Sequence, residues 1–117
     1  MTVSSLNEAQ VLAYRVVVTY VGECIRRPPR SVNDRRTLTG ASPKGYQFTS
    51  QGYNTLCDRI SSSLSVASGR RVTLPLSWRE KHFDDTISDF AAAVADRILA
   101  SRQTPLAERA VAWTATL

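Results

Sequence analysis

The chain has 117 residues, 43% of them hydrophobic and 21% charged, with 15 Lys+Arg against 10 Asp+Glu for a formal net charge of +5. That is one domain's worth of sequence, with enough apolar side chain to bury a core, which excludes a wholly disordered chain. The longest apolar run near the N-terminus, Val16 to Val21, is broken by Thr19 and flanked by Arg15 and Glu23, far short of the ~20 residues of a membrane span. No basic stretch followed by an apolar run marks a secretory signal, so a cytoplasmic protein is expected.

Ser5 with Glu8 has the spacing of a capping box and opens a first helix over about 6–27. Leu12, Val16, Val17, Val21, Cys24 and Ile25 recur at three- and four-residue spacing along it. The β-branched run Val16–Val18 also suits a strand, but the cap and the length favour helix. So do Arg26 and Arg27 at the end, where cations suit the helix dipole. Pro28 and Pro29 are expected to stop it. Residues 28–48 are rich in Pro, Gly, Ser and Thr and read as a long connection, with Leu38, Tyr46 and Phe48 as its anchors.

Thr49 or Ser50 is a good N-cap for a second helix over about 49–66. Its stripe is Tyr53, Leu56, Cys57, Ile60 and Leu64. Gly69 follows, and Arg70–Leu76 reads as extended, with Val72, Leu74 and Leu76 turned inward and no strand partner in sight. Ser77 with Glu80 is a second capping box, opening a helix over 77–102 with the stripe Phe83, Ile87, Phe90, Ala91, Val94, Ile98 and Leu99. A break near Asp84–Asp85 is compatible with that pattern. Thr104 before Pro105 caps a short last helix over 104–113. These elements predict a single all-α domain over 1–117, a small three- to four-helix bundle with a long loop between the first two helices.

Chemistry-bearing residues are sparse. His82 is the single histidine, and Cys24 and Cys57 are the only cysteines. They cannot assemble a zinc site of the usual spacing, and no serine sits in a nucleophile elbow. An enzyme is therefore not expected. Asp84, Asp85 and Asp89 form the one acidic cluster and are read as charges at a helix N-terminus. A helix-turn-helix alignment over Ile60–Val72 puts Ser61 and Ser65 where a small residue and a turn glycine belong, and Pro75 breaks its recognition helix.

The positive charge is uneven. Residues 1–36 hold six basic against three acidic groups and residues 37–75 four against one, while residues 76–117 hold five against six. Arg26, Arg27, Arg30, Arg35 and Arg36 cluster around Pro28 and Pro29, which stiffen that stretch. Guanidinium groups bind phosphate or carboxylate bidentately, so this loop is the candidate site for an anionic partner, either nucleic acid or an acidic protein.

A first helix, a long loop, a second helix opening on Ser50, and a final apolar helix together resemble the acyl carrier proteins over roughly residues 6–100. Leu38 takes the place of the apolar loop anchor. Tyr46, four residues before Ser50, stands where that family has the Leu of its Leu-Gly-x-Asp-Ser-Leu motif. Leu56, Ile60 and Leu64 fit the second-helix spacing, and Phe83, Thr86, Ile87 and Val94 the final-helix pattern. Thr49 replaces the motif's Asp and Gln51 its second Leu. The resemblance implies a carrier or protein-interaction module, modified or not, with Ser50 as the attachment residue for 4′-phosphopantetheine and a protein as partner.

Overall fold

The computed structural model describes residues 6–103; the expected cap at Ser5 and the expected helix over 104–113 lie outside the described residues. Four helices follow in chain order: α1 (Leu6–Ile25), α2 (Ser50–Ser68), α3 (Leu76–Lys81) and α4 (Ile87–Ala100). The fold is all-α, with a long connection between α1 and α2. One small antiparallel pair, β1 (Arg70–Arg71) with β2 (Arg102–Gln103), ties the end of α2 to the end of α4. No helix among the described residues is long and apolar enough to cross a membrane.

Helix α1 is central. It packs against α4, α2 and a short 3-10 turn at Pro29–Ser31, and it buries a broad arc: Ala9, Leu12, Ala13, Val16, Val17, Val18, Val21 and Gly22. The β-branched run is helical because burial on this arc outweighs a propensity difference of tenths of a kcal/mol per residue. Cys24, expected in the apolar stripe, is exposed. It stands in the last turn, where it lines an open surface recess with Phe48, Thr49 and Gln51.

The helix stops at Ile25 rather than Arg27, and the prolines are not the agent. Arg27 N–H donates to Gly22 O (2.9 Å) and Arg26 N–H to Glu23 O (3.3 Å), the two bonds of a Schellman ending, with Arg26 in the left-handed region at φ 58°. Gly22 permits this close return, since a Cβ there would lie 2.7 Å from Arg27 O.

The connection is a structured loop. Thr37 N–H donates to Lys44 O, Tyr46 N–H to Thr37 O and Phe48 N–H to Leu38 O at 2.9–3.0 Å. Leu38 is wholly buried and Val32 nearly so, while Tyr46 and Phe48 pack against the core. Helix α2 begins at Ser50, one residue later than expected, because Thr49 is the N-cap: its Oγ1 accepts Gly52 N–H at 3.0 Å. Its stripe is buried as expected. The helix runs two residues beyond the expected 66, to Ser68, and ends on Gly69 at φ 66°.

The expected helix over 77–102 is two helices, α3 and α4, separated by residues 82–86. The Ser77–Glu80 capping box does not form. Pro75 occupies the N-cap with no side-chain cap, its carbonyl accepts Arg79 N–H (2.9 Å), and Ser77 lies inside the first turn. Leu76, expected inward, is exposed because the chain has already turned into α3, while Val72 and Leu74 are buried. The extended segment does have a partner, β2, which no strand pattern announced. Around the α3–α4 break, Tyr53 packs edge-on against Phe83 and Phe90 at 5.0 and 5.9 Å, and Trp78 lies 5.5 Å from Phe90.

Candidate functional site

Two helix starts in this fold are built differently. At α4 every first-turn N–H is met. Ile87 N–H donates to Arg36 O and Ser88 N–H to Asp34 O (both 2.9 Å), Asp89 N–H to Thr86 Oγ1 (3.2 Å) and Phe90 N–H to Thr86 O (2.8 Å). At α2, Gly52 and Tyr53 N–H are taken by Thr49, but no group among the described residues accepts from Ser50 or Gln51 N–H. Ser50 is exposed at the first position of this helix. Two free N–H groups and the helix dipole there favour an anion.

Ser50 also lines a cleft of about 360 Å³ between α2 and α3, together with Tyr53, Leu76, Arg79 and Phe83 among others. Arg79 fixes the cleft's far wall. Its Nε donates to Leu74 O (2.6 Å), Nη1 reaches Asn54 Oδ1 (3.3 Å) and Nη2 pairs with Asp58 (2.7 Å). The Tyr53 hydroxyl donates to Arg79 O at 2.8 Å. Burial, then the neighbouring Cys57, raises the tyrosine's pKa so that it stays a neutral donor. His82 Nδ1 lies 2.6 Å from Asp85 and its ring 4.7 Å from Trp78, closing the break that follows α3.

The five loop arginines are held by different parts of the fold. Arg26 and Arg27 belong to the Schellman ending of α1, and Arg30 to the turn that follows. Arg35 and Arg36 lie at the other end of that stretch, beside the start of α4. Arg26, Arg27, Arg30 and Arg35 are exposed, and among the described residues no carboxylate pairs with them. Arg36 differs: it is half-buried, with its guanidinium 5.2 Å from the centre of the Tyr46 ring, and its carbonyl caps α4. That stacking also commits the Tyr46 face to the protein, with its hydroxyl accepting Asn33 N–H at 2.8 Å.

Sequence reasoning missed Arg79, whose position in a polar run gives no sign of its 14% exposed side chain. It also passed over Arg15, an isolated cation among the valines of α1. No group of three His, Cys, Asp or Glu among the described residues is placed to hold a metal ion. No family model, no curated protein and no solved structure matches the chain.

Proposed function

We propose that the chain is a carrier-like domain that takes a 4′-phosphopantetheine arm on Ser50. The observation that carries this reading is the start of α2, where an exposed serine, two unclaimed N–H groups and the lining of a cleft coincide. A phosphodiester on Ser50 Oγ would place its negative charge at the helix N-terminus, where dipole and N–H groups stabilise it. The order of elements adds support: a long helix, a long connection, a helix opening on the serine, a short helix and a final helix, as in the acyl carrier proteins that the sequence resembles.

Two departures from that family's motif are accommodated locally. Thr49, in place of Asp, caps α2 through its hydroxyl as a carboxylate would. Gln47, in place of Gly, adopts φ 59°, in the left-handed region that glycine enters freely. The test is the intact mass of the chain after incubation with coenzyme A and a phosphopantetheinyl transferase. One arm is expected on the wild type and none on Ser50→Ala. An unmodified wild type, or equal modification of both chains, refutes the assignment.

A second reading is favoured by the unpaired guanidiniums of Arg26, Arg27, Arg30 and Arg35: the α1–α2 connection binds an anionic macromolecule. Its test is binding to nucleic acid and to acidic polypeptide as a function of salt, with all four arginines reversed to Glu. Unchanged binding in that variant refutes it.

A further inference from the structure

Of the large hydrophobic side chains that stay exposed, Leu6, Val11 and Tyr14 lie in the first three turns of α1, at 51%, 52% and 42% exposure. Tyr14 and Arg15 lie three and four residues after Val11 and four and three before Val18, so the four share one face of the helix. That face forms one wall of an open groove of about 670 Å³, whose other wall is the turn carrying Pro29, Arg30 and Val32.

The floor is apolar, made by Val18 and Val32, both buried, with Val11 standing half out of it. The rim is basic: Arg15 on the helix side and Arg30 on the turn side, both exposed, with no carboxylate paired to either among the described residues. Asp34 stands beside this wall and accepts the Tyr14 hydroxyl at 3.4 Å, and it forms no ion pair with either guanidinium.

An apolar floor between two unpaired cations is complementary to one kind of occupant. We infer that this groove docks an acidic protein segment, with a bulky apolar side chain seated on Val11, Val18 and Val32 and flanking carboxylates paired to Arg15 and Arg30. Nucleic acid matches the cations, but its bases stack best on aromatic faces, and the groove offers three valines in their place. Shape and burial would supply affinity, and the two guanidiniums register and selectivity. Arg guanidiniums suit the carboxylate task, since they bind it in a planar, bidentate fashion. The inference is independent of the arm at Ser50. It rests on and narrows the anionic-partner reading, moving the binding surface from the loop as a whole to α1 and one turn.

The experiment is selection of a random-peptide phage library on the full chain, followed by anisotropy titration of the recovered peptides, labelled, against variants. The expected consensus is a large apolar residue flanked by Asp or Glu. Binding should fall about tenfold or more in Arg15→Glu/Arg30→Glu, the loss of a charge-assisted pair, and comparably in Val11→Ser. It should fall clearly less in Arg26→Glu/Arg27→Glu, which reverses as many charges outside the groove, and change less than about twofold in Lys81→Glu, an exposed cation at the end of α3. Unaltered helical circular dichroism in each variant shows that the fold is kept. Recovery of no consensus, or of a basic one, overturns the inference. Equal loss in both double variants overturns it too while leaving the broader anionic-partner reading standing. Tighter binding of an oligothymidylate strand that depends on Arg15 and Arg30 assigns the groove to nucleic acid instead. Self-association abolished by the groove variant assigns it to a second copy; both results overturn the proposal.

Discussion

Replacing Arg79 by Met keeps the length and apolar stem of the side chain and deletes every donor of the guanidinium. The bond to Leu74 O is 2.6 Å long on a side chain that is only 14% exposed, and a hydrogen bond from a charged group in such a place contributes about 1.5–3 kcal/mol. The pair with Asp58 is short at 2.7 Å, but the carboxylate is 69% exposed, so it adds only about 0.2–1 kcal/mol. The contacts to Asn54, at 3.3 and 3.4 Å, are long and add little. Arg79→Met should therefore cost about 2–4 kcal/mol, and Asp58→Asn less than about 1 kcal/mol. In a chain of this size the first loss lowers Tm by roughly 10–15 °C. Urea unfolding followed by helical circular dichroism measures both changes as shifts of the midpoint at constant slope. A loss below about 1 kcal/mol for Arg79→Met would refute the reasoning, because it would mean that Leu74 O finds water or another donor. A loss for Asp58→Asn equal to that for Arg79→Met would refute it differently, by making the exposed ion pair the dominant link between α2 and α3.

Phe90→Ala removes a wholly buried ring that meets Tyr53 and Trp78, and should cost about 3–5 kcal/mol in the same urea assay, against less than about 1.5 kcal/mol for Phe90→Leu. Arg26→Gly relieves a left-handed backbone at φ 58° that costs an ordinary residue about 1–2 kcal/mol, less glycine's larger unfolded entropy; thermal unfolding should show unchanged or higher stability, and a fall of more than about 1 kcal/mol would contradict the strain. Burial pushes the Cys57 thiol up to about 11, so in the native chain Cys24 should react with a thiol reagent at mildly alkaline pH and Cys57 should not, both reacting in denaturant. Because the unfolded thiol loses its proton first, the contribution of Cys57 to stability is full below about pH 8.5 and falls as pH rises toward about 11; a thiol that reacts as fast as Cys24 in the native state contradicts its burial.

The helices were legible because burial follows their periodicity: Tyr53 to Leu64 and Ile87 to Ile98 repeat at three- and four-residue spacing and line the core. Their ends were less legible, because ends are decided by tertiary hydrogen bonds that leave no pattern. Ser77–Glu80 has the spacing of a capping box, yet the Pro75 carbonyl starts α3. Pro28 is a helix stop by rule, yet the Schellman bonds had already ended α1. Arg26 to Arg36 read as one basic cluster because sequence distance is short, whereas the fold divides them between the end of α1 and the start of α4. Ser50 was singled out as a helix start by the apolar stripe behind it and as a candidate site by the resemblance; the free N–H groups beside it required the structure. Arg15 and Arg30 are 15 positions apart in the chain, and only the return of the turn onto α1 makes them two sides of one groove.

The start of α4 is completed from elsewhere in the chain. Ile87 and Ser88 hand their N–H groups to Arg36 and Asp34, some fifty residues earlier. The first turn of such a helix is completed only when that loop has closed, at an entropic cost that grows with the logarithm of the length between. Formation of α4 is thereby coupled to folding of the connection, so that neither is an independent unit. In native-state hydrogen exchange, the amides of Ile87 and Ser88 should open together with Thr37 and Tyr46. Cutting the chain between Asn33 and Thr37 should fray α4 from its first turn while leaving the Arg59–Glu23 link between α1 and α2 in place.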